Sequence, residues 1–135
     1  MAEIPPNHPR RDSLLARQKI VEASLSGLLA DSAMIAHGRG EAFDYLLGEK
    51  TIESAKLAIR HTASLLLAAD SPVISVNGNT TVLAGGSLIR VAAVLGCPIE
   101  VNLYYRTPER VSDLLSLLEK KRASVSLEDP PPGFQ

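Results

Sequence analysis

Apolar residues in the first half of the chain recur every three or four positions, which is the spacing of an amphipathic helix. The first apolar stripe consists of Leu14, Val21, Leu25 and Leu28. A second stripe begins at Ile52 and ends near Asp70. Between the two stripes, Glu41–Leu47 is typical of a short helix, which Gly48 ends. The pattern therefore predicts that residues 1–70 are mainly helical.

The pattern changes in the second half, where two short apolar runs flank a longer helical segment. Val73–Val76 is typical of a strand and meets the turn residues Asn77–Asn79. A helix capped by Thr80 or Thr81 follows, and Ile99–Tyr104 is a second strand-like run. Two strands joined by a helix almost always lie parallel with a right-handed crossover. This stretch therefore predicts a βαβ unit.

A pair of glycines, Gly85 and Gly86, interrupts the predicted helix of this unit. Each glycine inside a helix costs about 1 kcal/mol relative to alanine. Two explanations are open from the sequence. Either the helix begins only at Ser87, or a neighbouring element packs so closely against the helix that only small residues fit there.

The last part of the chain continues the alternation of helices and strands. Thr107–Pro108 is a strong helix start, because a capping side chain precedes a proline at the first helical position. Ala123–Leu127 is predicted as a third strand. The fold class is therefore an α/β sandwich around a parallel sheet, in one domain over residues 1–128, with β-α-β-α-β over residues 71–128. The proline-rich residues 129–135 are predicted to form a disordered tail.

Composition and charge argue against several classes of function. The net charge of −1 provides no basic surface for non-specific nucleic-acid binding. The single cysteine, Cys97, and the three scattered histidines show no metal-ligand spacing. No apolar run reaches about 18 residues, the length of a membrane span, and the first residues lack the apolar core of a signal peptide. We therefore expect a cytoplasmic protein that binds no nucleic acid, no membrane and no metal through a cluster of its own side chains.

Polar side chains follow both predicted strands at the points where these strands end. Asn77 and Asn79 come after the first strand, and Asn102 and Arg106 come after the second. Ligands of parallel sheets bind beyond the carboxyl ends of the strands. Because these side chains are rich in donors and carboxylates are sparse around them, they favour an anionic ligand, most simply one that carries phosphate. We therefore take all four residues as candidates for substrate binding.

Two arginines in the helical half have alternative interpretations. Arg17 lies about 60° from the centre of the first apolar stripe, which favours an arginine along the edge of the core over one that reaches into a cleft. Arg39 stands between two glycines in His37–Glu41. The predicted loop there would direct its amides and the arginine at an anion, next to the start of the following helix. The alternative is a tight connection in which Arg39 pairs with Glu41 or Asp44, and the spacing favours neither interpretation.

Four runs of the sequence resemble one known family. They are IPPNHPRRDSLLARQKIVE, ADSAMIAHGRGEAFDYLLGEKT, PVISVNGNTTVL and IEVNLYYRTPERV. These runs are similar to the archaeal-type phosphopantothenate synthetases, also called 4-phosphopantoate–β-alanine ligases. The resemblance covers about Ile4–Leu118, and the stretches His37–Asp44 and Ser75–Asn79 are long and specific. Members of the family are roughly twice this length, so the resemblance is to their amino-terminal half.

The resemblance implies a Rossmann-like α/β fold and a ligase of coenzyme A biosynthesis. Such an enzyme joins 4-phosphopantoate to β-alanine to give 4'-phosphopantothenate, and it splits ATP to AMP and pyrophosphate with Mg²⁺ present. The arginines of LLARQKIV and HGRGEAF look like the ATP-contacting arginines of the family, and they are Arg17 and Arg39 here. His37, in the second of these runs, is a further candidate for substrate binding. The resemblance identifies no catalytic base.

The resemblance also implies a cytoplasmic homodimer that acts on 4-phosphopantoate and β-alanine. Because the family's second half supplies further strands and further ATP contacts, an alternative function is open. In this alternative the chain is a catalytically inactive dimeric α/β module, which binds a phosphorylated ligand or a partner protein. The two functions differ in whether pyrophosphate is released when both substrates are present.

Overall fold

The computed structural model describes residues 4–125, in which helices dominate the first half and two strands lie in the second. The elements are α1 (Arg11–Leu25), α2 (Ser32–Leu46), α3 (Glu53–Ala68), β1 (Ile74–Val76), α4 (Gly78–Leu95), β2 (Ile99–Val101) and α5 (Pro108–Ser124). The two strands form a parallel sheet in which Ile74 lies opposite Ile99. The described residues therefore form a mixed α/β structure that contains the predicted βαβ unit.

The third strand predicted at Ala123–Leu127 is wrong as far as residue 125. Helix α5 continues to Ser124, and Lys121 and Arg122 occupy its last turn. Positive side chains there interact favourably with the negative end of the helix, which favours continued helix over a strand. The rest of that predicted strand, and the tail predicted at residues 129–135, lie outside the described residues. A Rossmann-like sheet of three strands is therefore not formed by residues 4–125.

Two clusters of buried apolar residues hold the described elements other than α3 together. The first lies between the sheet, α4 and α5 and contains Ile74, Val76, Ala92 and Leu118. The second lies between α1, α2 and α4 and contains Ile20, Ala23 and Leu29. Helix α4 contributes to both clusters, because Val82 packs against the second. The position of α4 therefore fixes the helical half against the sheet.

Helix α4 begins earlier than the sequence pattern predicts, at Gly78, and its cap is Asn77. The side-chain oxygen of Asn77 accepts a hydrogen bond from the backbone N–H of Thr80 at 2.9 Å. The predicted caps are therefore wrong, because Asn77 occupies the capping position and asparagine is among the best N-cap residues. At the other end, Gly96 has a φ of 63° in the left-handed region, which confirms it as the helix stop.

Close packing of α5 explains Gly85, the first glycine of the pair inside α4. A Cβ atom added at Gly85 would lie 2.9 Å from Cδ of Lys121 and 3.5 Å from Cδ2 of Leu118. The lysine also donates from Nζ to the carbonyl of Val82 at 3.3 Å, so its side chain crosses α4 at this point. A start of the helix at Ser87 is therefore wrong, and close packing accounts for Gly85 but not for Gly86, where a Cβ atom would make an ordinary contact 3.6 Å from Cγ2 of Val125.

By length and composition alone, α4 is apolar enough to cross a membrane, with 18 residues and a mean hydropathy of 1.2. The expectation that no segment reaches this length is therefore wrong. The core helix of a soluble protein passes the same test. In this structure α4 packs against β1, α1, α2 and α5, so it serves as the central helix of the described part of the chain.

The loop predicted around His37–Glu41 is wrong, because α2 runs without a break from Ser32 to Leu46. Neither Gly38 nor Gly40 has a positive φ. The backbone amides of this stretch are therefore part of a helix interior, where they bond to carbonyls of the preceding turn and do not form an anion-binding loop. A Cβ atom at either glycine would meet no other atom within 4 Å, so packing does not require glycine here.

Candidate functional site

The carboxyl ends of β1 and β2 open onto a cavity of about 240 Å³. The residues that line it are Leu28, Leu29, Ala30, Ser32, Ala33, Ala36, Asn77, Gly78, Asn79, Leu103, Tyr104, Tyr105 and Arg110. We call this space the strand-end cavity. The amino-terminal end of α4 lies in its wall, because the helix begins directly after β1. The cavity therefore combines an apolar wall with the positive end of a helix dipole.

Asn77 and Asn79 both line this cavity, as the sequence predicts, but each also has a structural role. The side-chain oxygen of Asn77 caps α4 and also accepts from the hydroxyl of Thr80 at 2.9 Å. The side-chain nitrogen of Asn79 donates to the carbonyl of Ala33 at 3.0 Å, which ties the start of α4 to α2. Gly78 between them lies so close to Leu29 that an added Cβ would be 2.5 Å from Cδ2.

Asn102 and Arg106 are exposed and do not line the strand-end cavity. The backbone N–H of Asn102 donates to the carbonyl of Val76 at 2.8 Å, which extends the strand pairing by one bond. Arg110, in the first turn of α5, lines the cavity instead of Arg106. Its Nη1 donates to the carbonyl of Tyr105 at 3.2 Å and so anchors the loop that bears both tyrosines.

A second cavity, of about 460 Å³, lies between α1 and α2. The residues that line it are Ser13, Ala16, Ala36, His37, Gly40, Glu41, Phe43 and Asp44. We call it the interhelical cavity. Ala36 belongs to both linings, so the two cavities are neighbours along α2. The Nε2 atom of His37 is buried and has no hydrogen-bond partner among the described residues.

Arg17 is held at the edge of the interhelical cavity by an ion-pair cluster. The carboxylate of Glu41, only 9% exposed, lies 3.7 Å from Nη1 of Arg17 and 3.4 Å from Nη2 of Arg10. Arg10 also pairs with Glu49 at 3.3 Å and lies over the ring of Tyr45, 5.3 Å from its centroid. The ion pair with Glu41 orients the guanidinium of Arg17. The side chain of Arg17 is 50% exposed, so this guanidinium is still accessible to a ligand.

Arg39 is exposed and forms no ion pair within residues 4–125. The pairing of Arg39 with Glu41 that the sequence left open is therefore wrong, because Arg10 and Arg17 occupy that carboxylate. On α2, Arg39 lies one turn from the exposed side chains of Ile35 and Phe43. It precedes Gly40 of the interhelical cavity but is not part of its lining.

The structure thus divides the predicted site residues into two neighbouring groups. Asn77 and Asn79 lie in the strand-end cavity, with Asn102 and Arg106 on the exposed loop beside it. His37 lies in the interhelical cavity, and the exposed arginines of α1 and α2 are next to its lining. Arg110 lies near a predicted helix start in the sequence, but it is not among the four candidates for substrate binding chosen at the strand ends. The signal for it is its place in the first turn of a helix that starts at the same edge of the sheet.

Comparison with known proteins identifies the family. The profile described as phosphopantothenate/pantothenate synthetase matches residues 54–130. The chain is 46% identical over 127 residues to a 4-phosphopantoate–β-alanine ligase of Thermococcus onnurineus, which covers 94% of this chain and 49% of that protein. It is 49% identical over 127 residues to the ligase of Thermococcus kodakarensis, and this match covers 94% of this chain and 49% of that ligase. It is 48% identical over 117 residues to the ligase of Methanospirillum hungatei, and this match covers 87% of this chain and 48% of that ligase.

The chain therefore spans about half the length of the curated relatives that it matches. The matched part includes both cavities, because the alignments extend over most of the described residues. The profile match alone extends over more than half of the chain and includes β1, α4, β2 and α5. This chain belongs to the phosphopantothenate/pantothenate synthetase family.

Proposed function

We propose that the chain supplies part of the site of a 4-phosphopantoate–β-alanine ligase, which uses ATP and releases AMP and pyrophosphate. The names of the relatives support this substrate pair. The observation that carries the proposal is the pair of neighbouring cavities that share Ala36. One cavity has helix-start donors, and the other has exposed guanidinium groups at its edge. A reaction between two anionic substrates needs two such places side by side.

The strand-end cavity suits 4-phosphopantoate. Its volume of about 240 Å³ fits a small acid better than a nucleotide. The start of α4 and the guanidinium of Arg110 favour negative charge, and Leu28, Leu29 and Leu103 offer an apolar wall to a branched carbon skeleton. We therefore place the phosphorylated acid against α4, with its carboxylate toward Ala36 and the second cavity.

The interhelical cavity and its edge suit the nucleotide. Arg10 and Arg17 share the carboxylate of Glu41, and Arg10 also pairs with Glu49, so two carboxylates balance the charge of these two guanidinium groups. Arg39 adds a further guanidinium without an ion pair in the described residues. Attack of the 4-phosphopantoate carboxylate on the α-phosphate brings two anions together, and fixed positive charge offsets their repulsion. Two arginines also hold the reactants in line, which lowers the entropic part of the barrier.

The described side chains show no ready-made cage for Mg²⁺. Within residues 4–125, no group of three or more His, Cys, Asp or Glu side chains comes together at one point. The carboxylate of Glu41, which lines the interhelical cavity, is already paired with arginines. We therefore assign no step to a metal ligand of this chain.

Nucleotide binding by the Arg39→Ala variant tests the proposal. A charged hydrogen bond contributes about 1.5–3 kcal/mol, so the affinity for ATP should fall by roughly tenfold to a hundredfold in calorimetric titrations. The melting temperature should not change, because Arg39 is exposed and unpaired. Arg122→Ala, an exposed arginine at the end of α5, is the matched control and should bind ATP like the unmodified chain. Equal affinity of all three proteins would contradict the proposed role of Arg39.

The second candidate function, a module that binds but does not turn over its ligand, is favoured by the exposure of α3. No residue of α3 is buried in this structure. Binding of ATP or 4-phosphopantoate without pyrophosphate release would support this module over the complete ligase. The homodimer stays a prediction, which sedimentation of the purified chain tests, and so does the cytoplasmic location.

A further inference from the structure

Glu41 is the acidic residue on which the ion pairs between the start of the chain and α2 converge. Its side chain is 9% exposed, and each of its two carboxylate oxygens contacts a different arginine. Oε1 lies 3.4 Å from Nη2 of Arg10, and Oε2 lies 3.7 Å from Nη1 of Arg17. A carboxylate that is largely withdrawn from water needs charged partners of this kind. Glu41 therefore bridges the two guanidinium groups.

Arg10 is the fixed end of this bridge. Its Nε donates to Oε1 of Glu49 at 3.3 Å, and its guanidinium carbon lies 5.3 Å from the centroid of the Tyr45 ring. Its backbone N–H donates to Nδ1 of His8 at 3.0 Å. Because Arg10 is held by several partners at once, it anchors Oε1 of Glu41. The other oxygen of Glu41 is thereby directed toward α1.

Arg17 is the accessible end of the bridge. Within residues 4–125, Glu41 is its single ion-pair partner. Its side chain is 50% exposed, and it follows Ser13 and Ala16 of the same helix, which line the interhelical cavity. An arginine has five N–H donors. Arg17 can therefore keep its contact with Glu41 and also donate to a phosphate group.

We propose that Glu41 is a positioning residue for ATP, which holds the guanidinium of Arg17 in the orientation that the phosphates require. The inference rests on the proposed nucleotide site at the interhelical cavity. Immobilising a flexible side chain on binding costs conformational entropy. Glu41 reduces this cost because it orients Arg17 before ATP binds. The direction of the effect is distinctive, since by its charge alone a carboxylate beside a nucleotide weakens binding.

Calorimetric titrations with ATP test this role in two matched variants. Glu41→Gln and Glu49→Gln each remove one carboxylate that is bound to Arg10, but only Glu41 also contacts Arg17. An amide has a single acceptor oxygen, which serves one arginine and not two. Glu41→Gln should therefore bind ATP roughly threefold to tenfold more weakly, the scale for one immobilised side chain. Glu49→Gln should bind ATP at least as tightly as the unmodified chain.

An equal or higher ATP affinity of Glu41→Gln would overturn the proposal, because Glu41 would then only compete with the phosphates for Arg17. Should Glu41→Gln fail to fold, Glu41→Asp replaces it. This variant keeps the charge of the cluster but is one carbon–carbon bond shorter, so it cannot bridge both arginines without a shift. It should also bind ATP more weakly, and unchanged affinity would again overturn the proposal.

A double-mutant cycle shows whether Glu41 acts through Arg17. Glu41→Gln should weaken ATP binding in the unmodified chain and should not weaken it further in the Arg17→Ala background. Equal weakening in both backgrounds would overturn the proposal.

The affinity for 4-phosphopantoate separates positioning from a general role in the fold. It should be the same in Glu41→Gln as in the unmodified chain. A distorted α2 would instead disturb the strand-end cavity too, because Ala33 and Ala36 of α2 line it. A parallel loss of affinity for both ligands would overturn the proposal in favour of a structural role. Absence of ATP binding by the unmodified chain would overturn the proposed nucleotide site and this inference with it, whereas ATP binding that does not depend on Glu41 would overturn this inference alone.

Discussion

Replacement of Gly38 by alanine tests whether α2 runs unbroken through a stretch with two glycines. A Cβ atom at this position meets no other atom within 4 Å, and the residue has no positive φ. Alanine should therefore fit without strain. Because glycine in a helix interior costs about 1 kcal/mol relative to alanine, Gly38→Ala should stabilise the chain by about that amount.

Thermal and urea unfolding measure this change. A gain of about 1 kcal/mol corresponds to about 4 °C in melting temperature for a chain of this size. In urea the midpoint should rise by about 0.5 M with an unchanged slope. A loss of stability would contradict an unbroken α2, because in the open space around Gly38 alanine is penalised only if the backbone has the positive φ of a glycine loop.

Gly40→Ala provides the matched comparison within the same helix. It should give a similar gain in stability, because this position also has open space around it. Gly40, unlike Gly38, lines the interhelical cavity. The added methyl group should therefore weaken ATP binding in Gly40→Ala and not in Gly38→Ala. Equal effects on binding would show that the cavity does not hold the nucleotide.

The remaining predictions concern the start of α4 and the start of α5. Gly78→Ala should destabilise the chain by about 1–3 kcal/mol, the usual cost of overpacking, because the new Cβ atom would lie 2.5 Å from Cδ2 of the buried Leu29. An unchanged midpoint of urea unfolding would contradict this packing. Asn79→Ala should cost about 1 kcal/mol of stability through its lost bond to α2 and should also weaken 4-phosphopantoate binding in calorimetric titrations. The carboxylate of Glu109 accepts hydrogen bonds from the backbone N–H of Glu109 and from the side chain of Thr107. These bonds hold the pKa of Glu109 below its ordinary value of 4.5. The unmodified chain should therefore be more stable than Glu109→Gln at neutral pH. This difference should disappear as the pH falls through the lowered pKa. Thermal unfolding of both proteins at several pH values would measure it.

Local signals were sufficient for the βαβ unit, although α4 begins earlier and β2 ends earlier, at Val101, than the sequence predicts. Gly96 ends α4 in the left-handed conformation, and Thr107 caps α5 with a bond to the backbone N–H of Arg110 at 3.2 Å. These two helix ends depend only on residues that are neighbours in the sequence, so the sequence predicts them directly. The edge of the sheet that bears Asn77 and Asn79 followed from the same unit, because parallel strands joined by a helix share the direction of their carboxyl ends.

The stretch His37–Glu41 shows where local signals mislead. Its glycines predict a loop, but α2 is held against α1 by the ion pairs of Glu41 with Arg10 and Arg17. Such contacts between distant residues override the local preference of glycine and leave no trace in the spacing. The place of Arg110 in the lining of the strand-end cavity likewise depends on tertiary structure, because the direction in which α5 leaves the sheet decides which arginine reaches the cavity.

Pyrophosphate release by the purified chain shows whether the two neighbouring cavities hold the reacting substrates of a ligase. The chain would be supplied with ATP, Mg²⁺ and 4-phosphopantoate, first without and then with β-alanine. The account predicts one equivalent of pyrophosphate per site before β-alanine is added and continuous release afterwards, both lowered by Arg39→Ala. Release that needs no 4-phosphopantoate, continuous release without β-alanine, or no release at all would contradict it.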